Sequence, residues 1–152
     1  MNHTNMYIKL LLMGALSFIS MYILMYMMVD RYANVYPSLN QFYMAGMMTA
    51  PMLVIELLLM GSMYPSKVAN ISIMIFSLVI LTLFIFCIRQ QTAISNKEFL
   101  KSMIPHHAGA LLMCQNTYID DPEIKKLCQS IISSQQSEID WMKKKLMSLR
   151  KD

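Results

Sequence analysis

The segment Met103-Ile-Pro-His-His-Ala-Gly-Ala-Leu-Leu-Met113 holds the densest chemistry in this sequence. Written on a helix, Met103, His106, Ala110 and Met113 recur at steps of three and four and share one face. His107 lies one residue round, nearer Cys114. A thioether, an imidazole and a second thioether on one stripe would suit a soft cation such as Cu(I) or Ag(I). The bland reading is a core histidine satisfied by hydrogen bonds, flanked by two methionine fillers.

A second segment bears on that choice. Ile124, Cys128, Ile131, Gln135, Glu138, Met142 and Leu146 form another helical stripe, in which Gln135 and Glu138 interrupt an otherwise apolar seam. Polar groups at a seam cost stability unless they are paired. In an antiparallel hairpin the residues facing them are His106 and His107. Glu138 could accept a hydrogen bond from one ring nitrogen and orient the other toward a metal. Equally, Glu138 and the histidines could pair with no metal at all.

Other chemistries are excluded by motif. A di-iron carboxylate centre needs Glu-x-x-His pairs, and the chain has none. His-Glu-x-x-His, Cys-x-x-Cys, phosphate-loop and nucleophile-elbow motifs are also absent. Neither an enzyme nor an organic cofactor is expected. Three cysteines, Cys87, Cys114 and Cys128, are an odd number and predict no disulfide framework. Cys114 and Cys128 are possible further ligands, or a small redox pair, which is the weakest functional reading.

These residues need elements to position them. The chain of 152 residues is 56% hydrophobic and only 14% charged, against about a quarter charged in soluble domains. The first 88 residues hold three of the thirteen Lys/Arg and two of the nine acids. That distribution excludes a single soluble globule, a disordered chain and a nucleic-acid-binding domain. It leaves a membrane domain over residues 1–88 and an aqueous helical hairpin over residues 89–152.

Three apolar runs, about 10–29, 42–63 and 68–88, each approach the roughly 20 residues that span a bilayer. The first exceeds a signal-peptide core and no small-residue cleavage site follows it, so it reads as an uncleaved helix. Met21, Met25 and Met28 should share a face of the first span, and Met44, Met48 and Met52 a face of the second. They read as apolar filler, with a thioether ladder as the alternative. Glu56, just over one turn beyond Pro51, is an intramembrane carboxylate and thus a functional candidate. A carboxyl hydrogen-bonded between helices is its structural alternative.

In the hairpin, Ser95-Asn-Lys-Glu98 reads as a capping box, and Pro105 should kink or restart the helix that follows. Asp121-Pro122-Glu123 is the start signal of a second helix running to about Leu149.

The blocks Phe99-Leu-Lys-Ser-Met-Ile-Pro-His-His107, Asp121-Pro-Glu-Ile, Ile131-Ile-Ser-Ser-Gln135 and Glu138-Ile-Asp-Trp-Met142 resemble the domain of unknown function 305 family over roughly residues 90–150. Phe42-Tyr-Met-Ala-Gly-Met-Met and Met63-Tyr64 resemble a membrane-anchored branch of it. The resemblance implies a ferritin-like, all-helical bundle. It points to Met103, His106, His107, Met113, Gln135, Glu138 and Met142 as a copper or silver site. Cys114 and Cys128 lie outside that pattern. Exported relatives imply a multi-pass protein of the bacterial inner membrane with its C-terminal domain in the periplasm. A count of nearby basic residues leans the other way.

The expected fold is therefore all-α: three transmembrane helices, then a two-helix hairpin that becomes a four-helix bundle if dimeric. The expected function is membrane-anchored handling of Cu(I) or Ag(I), as in metal tolerance. The alternative is a metal-free accessory subunit of a membrane complex whose hairpin is an interaction module. Membrane lipid, a second copy and a partner membrane subunit are the expected contacts; nucleic acid is not. Two short helices rarely make an independent core, which is why a dimer with Trp141 as an interface anchor is expected.

Overall fold

The computed structural model describes residues 3–149 and is helical throughout, with no strand among the described residues. Five helices follow one another: α1 (His3–Leu24), α2 (Leu39–Met60), α3 (Lys67–Gln90), α4 (Asn96–Asn116) and α5 (Pro122–Ser148). The first three belong to segments of 24, 25 and 24 residues that are long and apolar enough to cross a membrane. They are the three runs anticipated above, although α1 begins earlier and takes in Lys9.

The chain forms two compact units. One comprises α1 with Asn40–Thr92; the other comprises Met25–Leu39 with the chain from Ala93 onward. The hairpin is therefore not built from residues 89–152 alone. The connection after α1 is part of it, because the helix stops at Leu24 and the chain tightens into 3-10 turns at Met25–Met28 and Tyr32–Asn34. Met25 and Met28 thus leave the helical face on which Met21 sits, so the shared face expected of these three methionines does not form. Met44 and Met48 on α2 are 41% and 42% exposed and serve as apolar outer surface.

In the membrane unit, side chains at the start of α1 and α3 share a polar cluster. The Tyr7 hydroxyl donates to Asn70 Oδ1 at 2.8 Å, and the Asn70 amide donates to the Gly61 and Tyr64 carbonyls. The Tyr64 hydroxyl donates to Glu56 Oε1 at 3.2 Å, so the carboxylate within the apolar α2 has a partner close by in sequence. On the other side of this unit, Gln91 ends α3 in the left-handed conformation and returns its N–H to the Cys87 and Ile88 carbonyls.

In the second unit, Leu100, Ile104, Ala108 and Leu111 of α4 meet Ile139, Met142 and Leu146 of α5, with Val29 and Tyr36 of the connection packed against them. Ser95 caps α4 by accepting from the Glu98 amide, but Glu98 does not reach back as a full capping box would have it. Its carboxylate takes the Lys101 ammonium at 2.7 Å and the Leu39 amide at 3.0 Å instead. Helix α4 runs unbroken through Pro105, so of the two expected outcomes, a kink or a restart, the restart does not occur. Asp121 caps α5 as anticipated, accepting from the amides of Glu123 and Ile124 with Pro122 in the first turn.

Candidate metal centre

The period of the α4 stripe is as the sequence implies, but its phase is not. The face turned to α5 is Leu100, Ile104, His107, Ala108 and Leu111, all buried. Phe99, His106 and Met113 therefore point outward, with Met113 54% exposed. The larger aliphatic residues win the core because burying Leu or Ile removes more apolar area than burying a histidine or a flexible methionine. Of the adjacent histidines, the structure brings only His107 into the seam.

His107 is 9% exposed, and its Nδ1 lies 3.0 Å from Glu138 Oε2. The two atoms are close, yet the carboxylate is off the direction a ring N–H would take, and Nδ1 has no hydrogen-bond partner. One turn toward the loop on α5, Gln135 Oε1 is also buried without a partner. Burial holds the His107 imidazole below its ordinary value; the Glu138 carboxylate pulls it up and the neighbouring His106 pulls it down. The net effect favours the neutral ring, the form that can donate a lone pair.

Met103 lies one turn before His107, and Met142 lies one turn after Glu138. In an antiparallel pair those two steps lead the same way, and both methionines pack in or against one core. His107, Met103 and Met142 thus lie in or beside the packed seam, whereas Glu138, expected within it, has a side chain 55% exposed and stands at its rim, because Ile139 takes the buried position. His106 and Met113 do not join them. Among the described residues no three His, Cys, Asp or Glu side chains converge on one point; the remaining soft donors are thioethers.

Cys114 and Cys128 are joined as a disulfide, with Cα atoms 5.3 Å apart. This corrects the reading that three cysteines form no such link. An odd count excludes a fully paired set, not a single pair. In this state neither sulfur is a thiolate, so neither can act as the thiolate ligand considered above. Cys87 is free.

The sequence reasoning overlooked the contribution of the connection. The Met28 carbonyl lies 3.4 Å from the point where a Cβ would stand on Gly109, so the connection packs on α4 there at ordinary van der Waals distance. The Arg31 guanidinium donates to Gln136 Oε1 on α5. Asn34, 1% exposed, donates to Asp30, whose carboxylate also takes the Arg31 Nε–H. The available signal was the composition of residues 30–38, where an acid, a base, two tyrosines and a proline sit between two apolar helices.

Residues 88–146 match the family model described as Domain of unknown function (DUF305). The chain is also 35% identical over 136 residues to the uncharacterized protein L153 of Acanthamoeba polyphaga mimivirus, a match covering 88% of each chain. No solved structure matches it. The similarity to the viral protein is longer than the family segment and so extends into the apolar helices. With the His-His block, the capped α5 and the seam residues all inside the matched region, the chain belongs to the DUF305 family.

Proposed function

We propose that this protein is a membrane-anchored carrier of a soft metal ion, Cu(I) or Ag(I), held as cargo in the seam between α4 and α5. The observation that carries the reading is the buried His107 Nδ1, unpartnered although a carboxylate stands 3.0 Å away. A buried ring nitrogen without a partner costs about 1–3 kcal/mol, which binding of an ion would offset. His107, Met103 and Met142 would be the ligands. Glu138 and Gln135 would steer the ring, and the Glu138 carboxylate would supply compensating negative charge. His106 and Met113, on the outer face, would serve capture rather than retention.

The disulfide supports an orientation in which the hairpin faces an oxidising compartment, since such links persist outside the reducing cytosol. In a bacterial inner membrane that side is the periplasm. A second copy would cover the exposed side of α5, where Trp141 is 62% exposed. The same exposed surface favours a second reading: a metal-free accessory subunit that uses α5 to hold a partner protein.

Titration of the purified full-length chain with Cu(I) against a competing chelator separates the two. The carrier reading expects one ion per chain and loss of binding in His107→Ala. It expects only a modest change in His106→Ala. Tight binding that survives in the double variant, or no binding at all, would sink it. Crosslinking in native membranes reports the oligomer and the partner.

A further inference from the structure

The hairpin is electrically lopsided. Where α4 begins and α5 finishes, the sequence places Lys97, Lys101, Lys143, Lys144 and Lys145. The Glu98 carboxylate takes Lys101, and the Asp30 carboxylate of the connection takes Arg31. Lys97, Lys143, Lys144 and Lys145 make no ion pair among the described residues. Asp140 is the remaining acid nearby, and it accepts from Gln136. At the loop end the balance reverses, and Asp120, Asp121 and Glu123 outnumber Lys125 and Lys126.

Helix stability accounts for only part of this pattern. A lysine in the last turn of α5 meets the negative end of the helix dipole, which favours it. Lys97 stands in the first turn of α4, at the positive end, where a cation is disfavoured. It is exposed there and no acid takes it. Met147 is 61% exposed beside these charges. It follows Lys144 by three residues and Lys143 by four, so the three share one side of α5. In the sequence Arg150 and Lys151 follow Met147 at the same two steps. An exposed apolar side chain framed by lysine stems suits a lipid surface. The thioether enters the headgroup boundary and the ammonium groups meet phosphates.

The covalent path supplies the second argument. Helix α3 is long and apolar enough to cross a bilayer and ends at Gln90, and α4 begins at Asn96. The five residues between them reach at most about 20 Å. The 21 residues of α4 put the loop end roughly 30 Å farther along its axis. The basic end is thus the one tethered closely to an apolar helix.

We propose that the end of the hairpin carrying Lys97, Lys143, Lys144 and Met147 binds the anionic phospholipid headgroups of the bilayer that holds the apolar helices. Trp141, six residues before Met147, points to another side of α5 and stays available to a second copy. The proposal depends on the apolar helices lying in a bilayer and on no metal in the hairpin.

The test places the full-length chain in nanodiscs of phosphatidylcholine with a rising share of phosphatidylglycerol. Trp141 is the only tryptophan, so Trp141→Phe with Met147→Trp moves the single fluorophore into the patch. Its emission should shift to the blue as phosphatidylglycerol is added and be quenched by bromine on the acyl chains. Neither should occur in phosphatidylcholine alone, and about 1 M salt should reverse both. Lys143→Gln with Lys144→Gln should lower the bound-to-free ratio about 25-fold, roughly fivefold per charge. Lys125→Gln with Lys126→Gln removes the same net charge from the loop end and should change the ratio by under about twofold. In the unaltered chain, amide exchange over residues 143–149 should slow when phosphatidylglycerol is present. Emission and exchange indifferent to phosphatidylglycerol, or equal losses from the two lysine pairs, would overturn the proposal. So would a shift that follows protein concentration at fixed lipid, which would give this end to a second copy.

Discussion

The two ends of the α4–α5 hairpin are held by different means. At the end where α4 begins and α5 finishes, seven buried side chains interlock, and Val29 and Tyr36 close over them. Toward the connecting loop, no residue from Leu112 to Glu138 is fully buried. Ile124 and Leu127 are 52% and 58% exposed. What ties that end together is the Cys114–Cys128 bond. One end is stabilised by apolar burial in the folded state; the other is held by a covalent limit on how far the two helices of the hairpin can separate. The candidate centre at His107 and Glu138 sits at the junction between them.

The comparison can be broken most forcefully at the packed end. Ile104→Ala or Ile139→Ala, each at a fully buried position, should cost about 2–5 kcal/mol in unfolding of the hairpin unit. A loss below 1 kcal/mol would mean that the core described here is not what stabilises it. Next in size, Cys114→Ser with Cys128→Ser opens a link between residues 14 apart and should cost about 3 kcal/mol. Amide exchange should quicken over residues 112–131 while residues 100–111 keep their protection. Uniform quickening of both ends would show a single cooperative unit.

Asp121→Ala removes the acceptor for two amides and should cost about 1 kcal/mol, again confined to the disulfide end. Acidification sharpens the contrast from the other side. Burial raises the Glu98 carboxyl, but the Lys101 ammonium and the Leu39 amide outweigh it and leave the group below its ordinary 4.5. A carboxylate lowered by folding contributes stability that is full above its unfolded value and is lost as pH falls through the folded one. Protection of the Leu39 amide should therefore decline below pH 4.5 in the native chain. Glu98→Gln should remove that pH dependence, and an identical profile in the variant would refute it. Smallest of all, Leu127→Ser on the exposed side of α5 should change stability by under about 0.5 kcal/mol. A larger loss in intact membranes than in detergent would point to a partner covering that surface.

How much of this was legible in the sequence depends on the range of the interaction. The three apolar helices and the Asp121 cap are local, and they read directly from run length and cap chemistry. The rotation of α4 did not. Phe99, His106 and Met113 and the set Leu100, Ile104, His107 and Leu111 have the same period, and only packing against Ile139 and Met142 selects the second, with Met103 at its edge. Glu98 illustrates the same point. Its spacing from Ser95 fits a capping box, yet a lysine one turn on and an amide 59 residues away compete better for its carboxylate. The disulfide was obscured because counting cysteines says nothing about which pair a hairpin brings face to face. The part played by Met25–Leu39 was hidden for a related reason: its partners lie in a different stretch of the chain.

That connection has a consequence for how the protein is made. Val29 and Tyr36 leave the ribosome well before Leu100 and Leu146, the residues they pack beside, so the aqueous core stays incomplete until synthesis is nearly over. For helices long and apolar enough to cross a bilayer, keeping the connection and α4 on one side would require α2 and α3 to go across and back as a pair. Insertion that leaves out either crossing would strand the two halves of this core in separate compartments. The hairpin would then expose an apolar face with nothing to close over it. Correct assembly of the aqueous unit is in this sense a readout of correct membrane insertion.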